Sequence, residues 1–496
     1  MRTKVLSWQI FNFSLILVAV LISNQCLYGQ DPFQATGVKV GEVSQNSAII
    51  WVRLTKFSER NVDGIPFKEI KGKKSPENKK HYIYPEPQFP ADKTLNDMKN
   101  SVPGTEGEAR VVYWIEGNKN ETLKTTGWEK VDPKHDFTYQ FKLNELKPWT
   151  IYNFITECRS DVAARANEKG KIEGHFKTAP EADSIEPLKF SVITCQAYHQ
   201  RDDDFNGHKI YNVLDKFSPD FFVMTGDIVY YDRLAPVALT PELARFKWNR
   251  MYSLPYQLEF HKHVSSYFIK DDHDTWQDDC WPTKENDMMG DLTFKEGQEI
   301  FLEQVPMSEK TYRTFRWGKD LQIWMVEGRD FRVPNTMQDG PEKTIWGKEQ
   351  KEWFKKTVSE SDATFKILIS PTPVIGPDRA KKNDNLANKG FKHEGDELRK
   401  FISSQKNMLV VTGDRHWQYV TVDPETGVWE FSTGPTTDKH AGGFSMDLRE
   451  PMHRYLNIVG GFLWGTVERM DGVPTLTFQH YSVDGELLHE EVISAK

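Results

Sequence analysis

The chain has 496 residues, a formal net charge of −8 at pH 7, and hydrophobic and charged fractions of 38% and 27%. That balance excludes wholesale disorder and provides enough chain for two cores. An acidic total also argues against sequence-independent binding to nucleic acid, which needs a basic surface.

The N-terminus reads as a targeting segment. A basic start, "MRTK", precedes the apolar run "FSLILVAVLI" and a small residue before Gln30, the pattern of a secretory signal peptide over residues 1–29. The run is too short to span a bilayer, so no stable membrane insertion is expected. Around Cys26, "LISNQC" lacks the small residues that precede a lipidated cysteine. Cleavage would remove Arg2 and Lys4 and no acid, giving −8 − 2 = −10. It would also leave Cys158, Cys195 and Cys280, an odd number in an oxidising compartment, so at least one thiol is expected to be unpaired. The expected location is secreted or periplasmic.

Residues 30–180 alternate apolar and polar positions in "ATGVKVGEVSQNSAIIWVRL", "ARVVYWIEG" and "FTYQFKLNEL", the mark of half-buried strands. In "LNELKPWTIYNFITEC" a leucine, a proline turn and then Tyr152 opening a strand match the tyrosine corner of immunoglobulin-like sandwiches. This region is similar to a fibronectin III/Ig-like β-sandwich, expanded by a polar insertion around Lys68–Gly104. The run "KEIKGKKSPENKK" inside the insertion reads as a solvated loop rather than a substrate-facing flap. The partner of the sandwich is not encoded in any motif.

After the linker "APEADSIEP", residues 186–496 alternate strands with helices. "LKFSVITC", "DFFVMT", "TFKILIS" and "NMLVVT" read as strands; "GHKIYNVLDKF", "GKEQKEWFKKTVSE" and "GDELRKFISS" read as helices. The pattern predicts an α/β layered domain, whose ligands collect at the carboxyl ends of the strands. The expected chain is therefore multidomain, a sandwich followed by a layered α/β domain.

What each strand runs into carries the chemistry. "FSVIT" ends in Cys195, "FFVMT" in Gly226-Asp227 with Tyr230 following, "SSYFIK" in Asp271–Asp274, and "MLVVT" in Gly413-Asp414-Arg415-His416. Taken singly, each has an ordinary structural explanation, such as a turn, a core thiol or a surface ion pair. Together they gather acids that would repel one another unless a cation lay among them. A phenolate, a carboxylate and a thiolate suit iron, and the site rich in Asp oxygens suits calcium, magnesium or manganese. A metal pair of this kind clamps a phosphoryl group and supplies a hydroxide nucleophile.

The order "TCQ … TGDIVYYD … KDDHD … TGDRHW" resembles the alkaline phosphatase D (PhoD-like) family of calcineurin-like metallophosphoesterases, from about Leu188 to the C-terminus. The resemblance implies hydrolysis of small phosphate esters at an Fe3+ and Ca2+ centre, where the second metal is open to another divalent cation. Carried over by position, Cys195, Asp227, Tyr230 and His416 match metal ligands, with Asp227 shared by the two ions. Asp272 and Asp414 match second-metal ligands, and His273 matches the residue that stabilises the transition state or protonates the leaving group. Asp274 stands where the superfamily usually has Glu, and the chain lacks the arginine pair of the twin-arginine route taken by many family members.

Two further stretches suggest a substrate pocket. "WMVEGRDFR" offers Arg329 as a catalytic or phosphate-binding guanidinium and Arg332 as a second binding group. The long polar loop after "TFKILIS" offers Asp384, Asn385 or His393 to the second metal, or Arg379 to substrate. The expectation is a secreted metal-dependent phosphatase that releases inorganic phosphate by a metal-activated hydroxide. Its rivals are a phosphodiesterase of phospholipids or cell-wall polymers on the same centre and a non-catalytic secreted binding protein.

Overall fold

The computed structural model describes residues 31–76, 79, 81–160 and 165–496. The signal-peptide reading, Cys26, and positions 77, 78 and 80 of the lysine-rich run lie outside the described residues.

The α/β region is built on strands buried on both faces. In Phe221–Thr225 every residue is buried. Phe221 and Val223 enter one core while Phe222 and Met224 enter another, as the two-residue period of a strand requires. This strand lies between Leu188–Ile193 and Ser265–Ile269, all parallel, near the middle of a nine-stranded sheet. A second, seven-stranded sheet has Leu321–Met325, Phe365–Ser370 and Met408–Thr412 in parallel.

The two sheets pack face to face over Phe190, Val192, Phe221, Val223, Ile323, Ile367 and Val411. Each outer face is covered by helices. Lys209–Phe217 and Pro241–Tyr252 cover the first with Leu214 and Trp248, and Gly347–Glu360 and Lys392–Ser403 cover the second with Phe354 and Leu398. The result is the expected layered architecture, helix–sheet–sheet–helix.

At the N-terminus, Val38–Gly41, Ala48–Arg53 and Thr138–Leu143 share a core with a second antiparallel sheet containing Ile151–Arg159 and Glu108–Ile115. Lys147 N–H donates to the Tyr152 hydroxyl at 2.8 Å, the tyrosine corner anticipated from the sequence. The sandwich is not a separate bead. Its first strand pairs in parallel with Ser265–Ile269, so the nine-stranded sheet runs from the N-terminal strands into the α/β layers.

The insertion is more ordered than its charge pattern suggested. Lys73–Lys74 pairs with Tyr82–Ile83 as a short hairpin whose lysines are exposed. Its flanks dock on the α/β region, with Phe67, Tyr84 and Leu95 against the helical core. Gln88 exchanges two hydrogen bonds with the Val237 backbone, at 2.7 and 3.0 Å. Cys158, Cys195 and Cys280 are buried free thiols. No helix among the described residues is long and apolar enough to cross a membrane.

Candidate metal centre

Backbone geometry explains the repeated glycine-acid junction. Gly226 has φ 99°, and a Cβ there would lie 2.7 Å from Asp271 Cβ and 2.9 Å from its backbone nitrogen. A Cβ on Gly413 would lie 2.5 Å from Thr225 Oγ1 and 2.8 Å from Thr194 Oγ1. The glycines let the strand ends touch. Gly413→Ala should lower unfolding stability by about 1–3 kcal/mol through this overpacking, read as a lower denaturant midpoint at unchanged m-value.

Asp227 and Asp414, which follow these glycines, bear strain, and so does Cys195 after Thr194. Cys195, Asp227 and Asp414 have φ of 53°, 55° and 60°, a left-handed conformation that costs a residue with a side chain about 1–3 kcal/mol. Cys195 N–H to Gly226 O at 3.1 Å, Gln196 N–H to Asp227 O at 2.9 Å and Asp414 N–H to Thr194 Oγ1 at 3.2 Å lace the loops together. Asp274 accepts from the Val229 and Asp271 backbone N–H groups, both at 3.1 Å, and so braces this network rather than His273.

Ligand atoms converge in three overlapping groups, each with its atoms within 4.8 Å of one another: Cys195, Asp227 and His416; Asp227, Asp272 and His273; and Asp272, Asp278 and Asp279. Asp227 belongs to two of them. Tyr230 joins the first, its hydroxyl 3.3 Å from Asp227 Oδ2, where Cys195 Sγ also lies at 3.3 Å. Asp227 Oδ1 is buried without a hydrogen-bond partner.

Burial pushes the Asp227 carboxyl up to about 7, with Asp272 and Asp271 adding to the shift against His273. Burial likewise raises Cys195 and Tyr230 well above their ordinary values, and Asp227 adds to both. Burial and then His440 hold His416 at about 2, leaving a neutral imidazole. A cation at this point would offset the cost of the buried Asp227, Cys195 and Tyr230 anions and would take the neutral His416 imidazole as a ligand, so the donor set fits a metal.

His273 Nδ1 lies 2.7 Å from Asp232 Oδ1, and Nε2 lies 3.7 Å from Asp278 Oδ1. Burial alone would lower its pKa, but the carboxylates of Asp232, Asp272 and Asp227 outweigh it and raise His273 well above the usual value. Asp414 lies on the same cleft but in none of the three groups, and Arg415 lies against its carboxylate.

Of the three substrate cations read in the sequence, the structure places Arg379 on the cleft and Arg329 and Arg332 away from it. Arg329 is fully buried, with Nε 2.5 Å from Asp271 Oδ1 and Nη2 3.6 Å from Asp272 Oδ1. It braces the acidic loop from behind and does not line the cleft. Arg332 is also buried and donates to the Asp384 carbonyl oxygen. Carboxylates and carbonyls distant in sequence have captured both guanidinium groups. Arg379 does line the cleft, a space of about 260 Å³, together with Arg233 and Lys382.

Within the long loop, Asp384 lies 3.4 Å from Lys382 Nζ, Asn385 Nδ2 donates to Asp378 at 2.8 Å, and His393 is exposed. His440 was missed altogether. It packs on His416 with ring centroids 3.9 Å apart, and its Nδ1 lies 3.3 Å from Cys195 O. The signal was present, because "VWEFST" is one more buried strand running into a polar loop, "GPTTDKH".

The family described as PhoD-like phosphatase matches residues 190–459. No curated protein matches the chain. Among solved structures, one titled "Structure of PhoD" is similar with a TM-score of 0.68 at 16% identity, over 94% of this chain and 90% of that one. A purple acid phosphatase, PPD1, from yellow lupin (Lupinus luteus) seeds is similar with a TM-score of 0.60 at 12% identity, over 92% of this chain and 74% of that one. At these identities the two likenesses establish the fold.

Proposed function

The chain belongs to the PhoD-like phosphatase family, and from that premise we propose that it is a secreted phosphoesterase acting on small phosphate esters at a mixed Fe3+ and Ca2+ centre. The observation that carries this reading is the position of Asp227, shared by two ligand groups and holding a buried oxygen without a protein partner. Cys195, Asp227, Tyr230 and His416 would hold iron. Asp227 and Asp272 would hold the second cation, with Asp414 at the rim. When bound, the two ions would supply an activated water and neutralise phosphoryl oxygens.

The remaining work falls to side chains of this protein. Arg233, Arg379 and Lys382 line the cleft and orient the phosphoryl group by charge-assisted hydrogen bonds. Arg329 holds Asp271 and Asp272 in place. Asp232 holds His273 by Nδ1, which leaves Nε2 to give a proton to the departing alcohol. Secretion is proposed from the basic and apolar N-terminal pattern.

The test is metal analysis with a visible spectrum, on wild type and on Tyr230→Phe. We expect near-stoichiometric iron with a second metal, a tyrosinate-to-iron charge-transfer band, and loss of that band in the variant. Colourless protein that takes up no iron or calcium on reconstitution would overturn the centre and favour a binding role. Rates on monoester and diester substrates then separate a phosphatase from a phosphodiesterase.

A further inference from the structure

Beside the metal cleft lies a second cavity of about 440 Å³, and residues of the N-terminal insertion form one wall of it. Glu69 and Tyr84 come from the insertion; Leu234, Met288 and Asp278 come from the α/β region. Arg233 and Asp278 line both this cavity and the metal cleft, so the two spaces meet at those side chains. Asp232, which holds His273, lines it too.

The wall is fixed in place. Tyr82 N–H donates to Asp287 O at 2.7 Å, Gln88 clasps Val237, and the Phe67 ring lies 5.2 Å from that of Phe246. The Tyr84 ring is half-buried against the helical core. These anchors lie on the segments that carry Arg233 and Met288, so the insertion is tied to the residues that line the cleft.

We propose that this cavity is the leaving-group subsite, and that it selects phosphate esters whose alcohol has an aromatic or apolar body and no negative charge. The proposal rests on the phosphoesterase reading above. The charge gradient orients the ester. Exposed Arg233, which forms no ion pair among the described residues, marks the phosphoryl end. Beyond it, Leu234, Met288 and the Tyr84 ring offer apolar contact, and Glu69, which lines this cavity but not the metal cleft, would repel an anionic alcohol. An ester bound this way places its bridging oxygen on the side where His273 and Asp232 lie. The transfer balances simply: the P–O bond to the alcohol breaks, water supplies the new P–O bond, and the alcohol leaves with one proton.

The experiment compares 2-naphthyl, methyl and carboxymethyl phosphates on metal-loaded wild type, Tyr84→Ala and Glu69→Lys. Tyr84→Ala should lower the naphthyl-to-methyl ratio of kcat/KM about tenfold, the range of a lost aromatic contact. Naphthyl phosphonate binding, read by calorimetry, should weaken by about the same factor. Glu69→Lys, at an exposed side chain, should raise the carboxymethyl-to-methyl ratio several-fold. Unchanged ratios in both variants, with the wild type active, would overturn the subsite and leave the phosphoesterase reading standing. A wild type that turns over none of the three esters would overturn both.

Discussion

Asp227→Asn should fold, retain little of either metal, and fall at least about 1,000-fold in kcat/KM, a loss in keeping with removing a ligand common to a two-metal site. The argument is geometric. Cys195 and His416 form one ligand group with Asp227, and Asp272 and His273 form another with it, so one carboxylate serves both groups. Asn keeps the shape and removes the charge, and no other carboxylate stands in both groups.

The same substitution should act on stability in opposite directions with and without metal. In metal-free protein, burial lifts the Asp227 carboxyl to about 7, above its unfolded value near 3.9. A carboxyl raised in the folded state costs stability as pH climbs from the unfolded pKa to the folded one, and the cost is full above about 7. Metal-free Asp227→Asn should therefore melt higher than metal-free wild type at pH 8, with the gap closing toward pH 4. With metals the order should reverse, since only wild type gains binding energy on folding. Thermal melts at two pH values, with and without chelator, decide the matter; equal melting of the chelated proteins at pH 8 would show that the Asp227 charge is not strained by its surroundings.

The strand ends were readable because strands buried on both faces are continuous apolar runs, so the first polar group after each marks the carboxyl edge of a sheet. Cys195, Asp227, Asp272 and His416 are read that way, and the structure places their ligand atoms in two overlapping groups that share Asp227. Asp232 closed the same stretch that displayed Asp227 and Tyr230 but passed unnoticed, because its role depends on His273, 41 residues away. Arg329 and Arg332 lie away from the cleft for a related reason. Which carboxylate captures Arg329 is settled by the packing of Asp271 against a loop 58 residues distant, and local pattern carries no trace of that. In the insertion, exposed lysines signalled a solvated face, while Gln88 docks on Val237, 149 residues away, a contact that leaves no local pattern.

His273→Ala should lower kcat about 100- to 10,000-fold on esters of poor leaving groups, the span of general acid catalysis. The loss should shrink as the alcohol becomes more acidic, and be smallest for p-nitrophenyl phosphate, whose phenolate leaves with little help from a proton. The dependence follows from the protonation state. Asp232, Asp272 and Asp227 keep His273 charged well above the usual imidazole range, so a proton is available at neutral pH, and the hydrogen bond of Nδ1 to Asp232 directs Nε2 to the cleft. Asp232→Asn should cost less, about 10–100-fold, as for other groups that orient a catalytic side chain from behind, and should show the same leaving-group trend. A loss of equal size on every ester would instead give His273 the other role its position allows, donation to a non-bridging phosphoryl oxygen, because stabilising charge there does not depend on which alcohol departs.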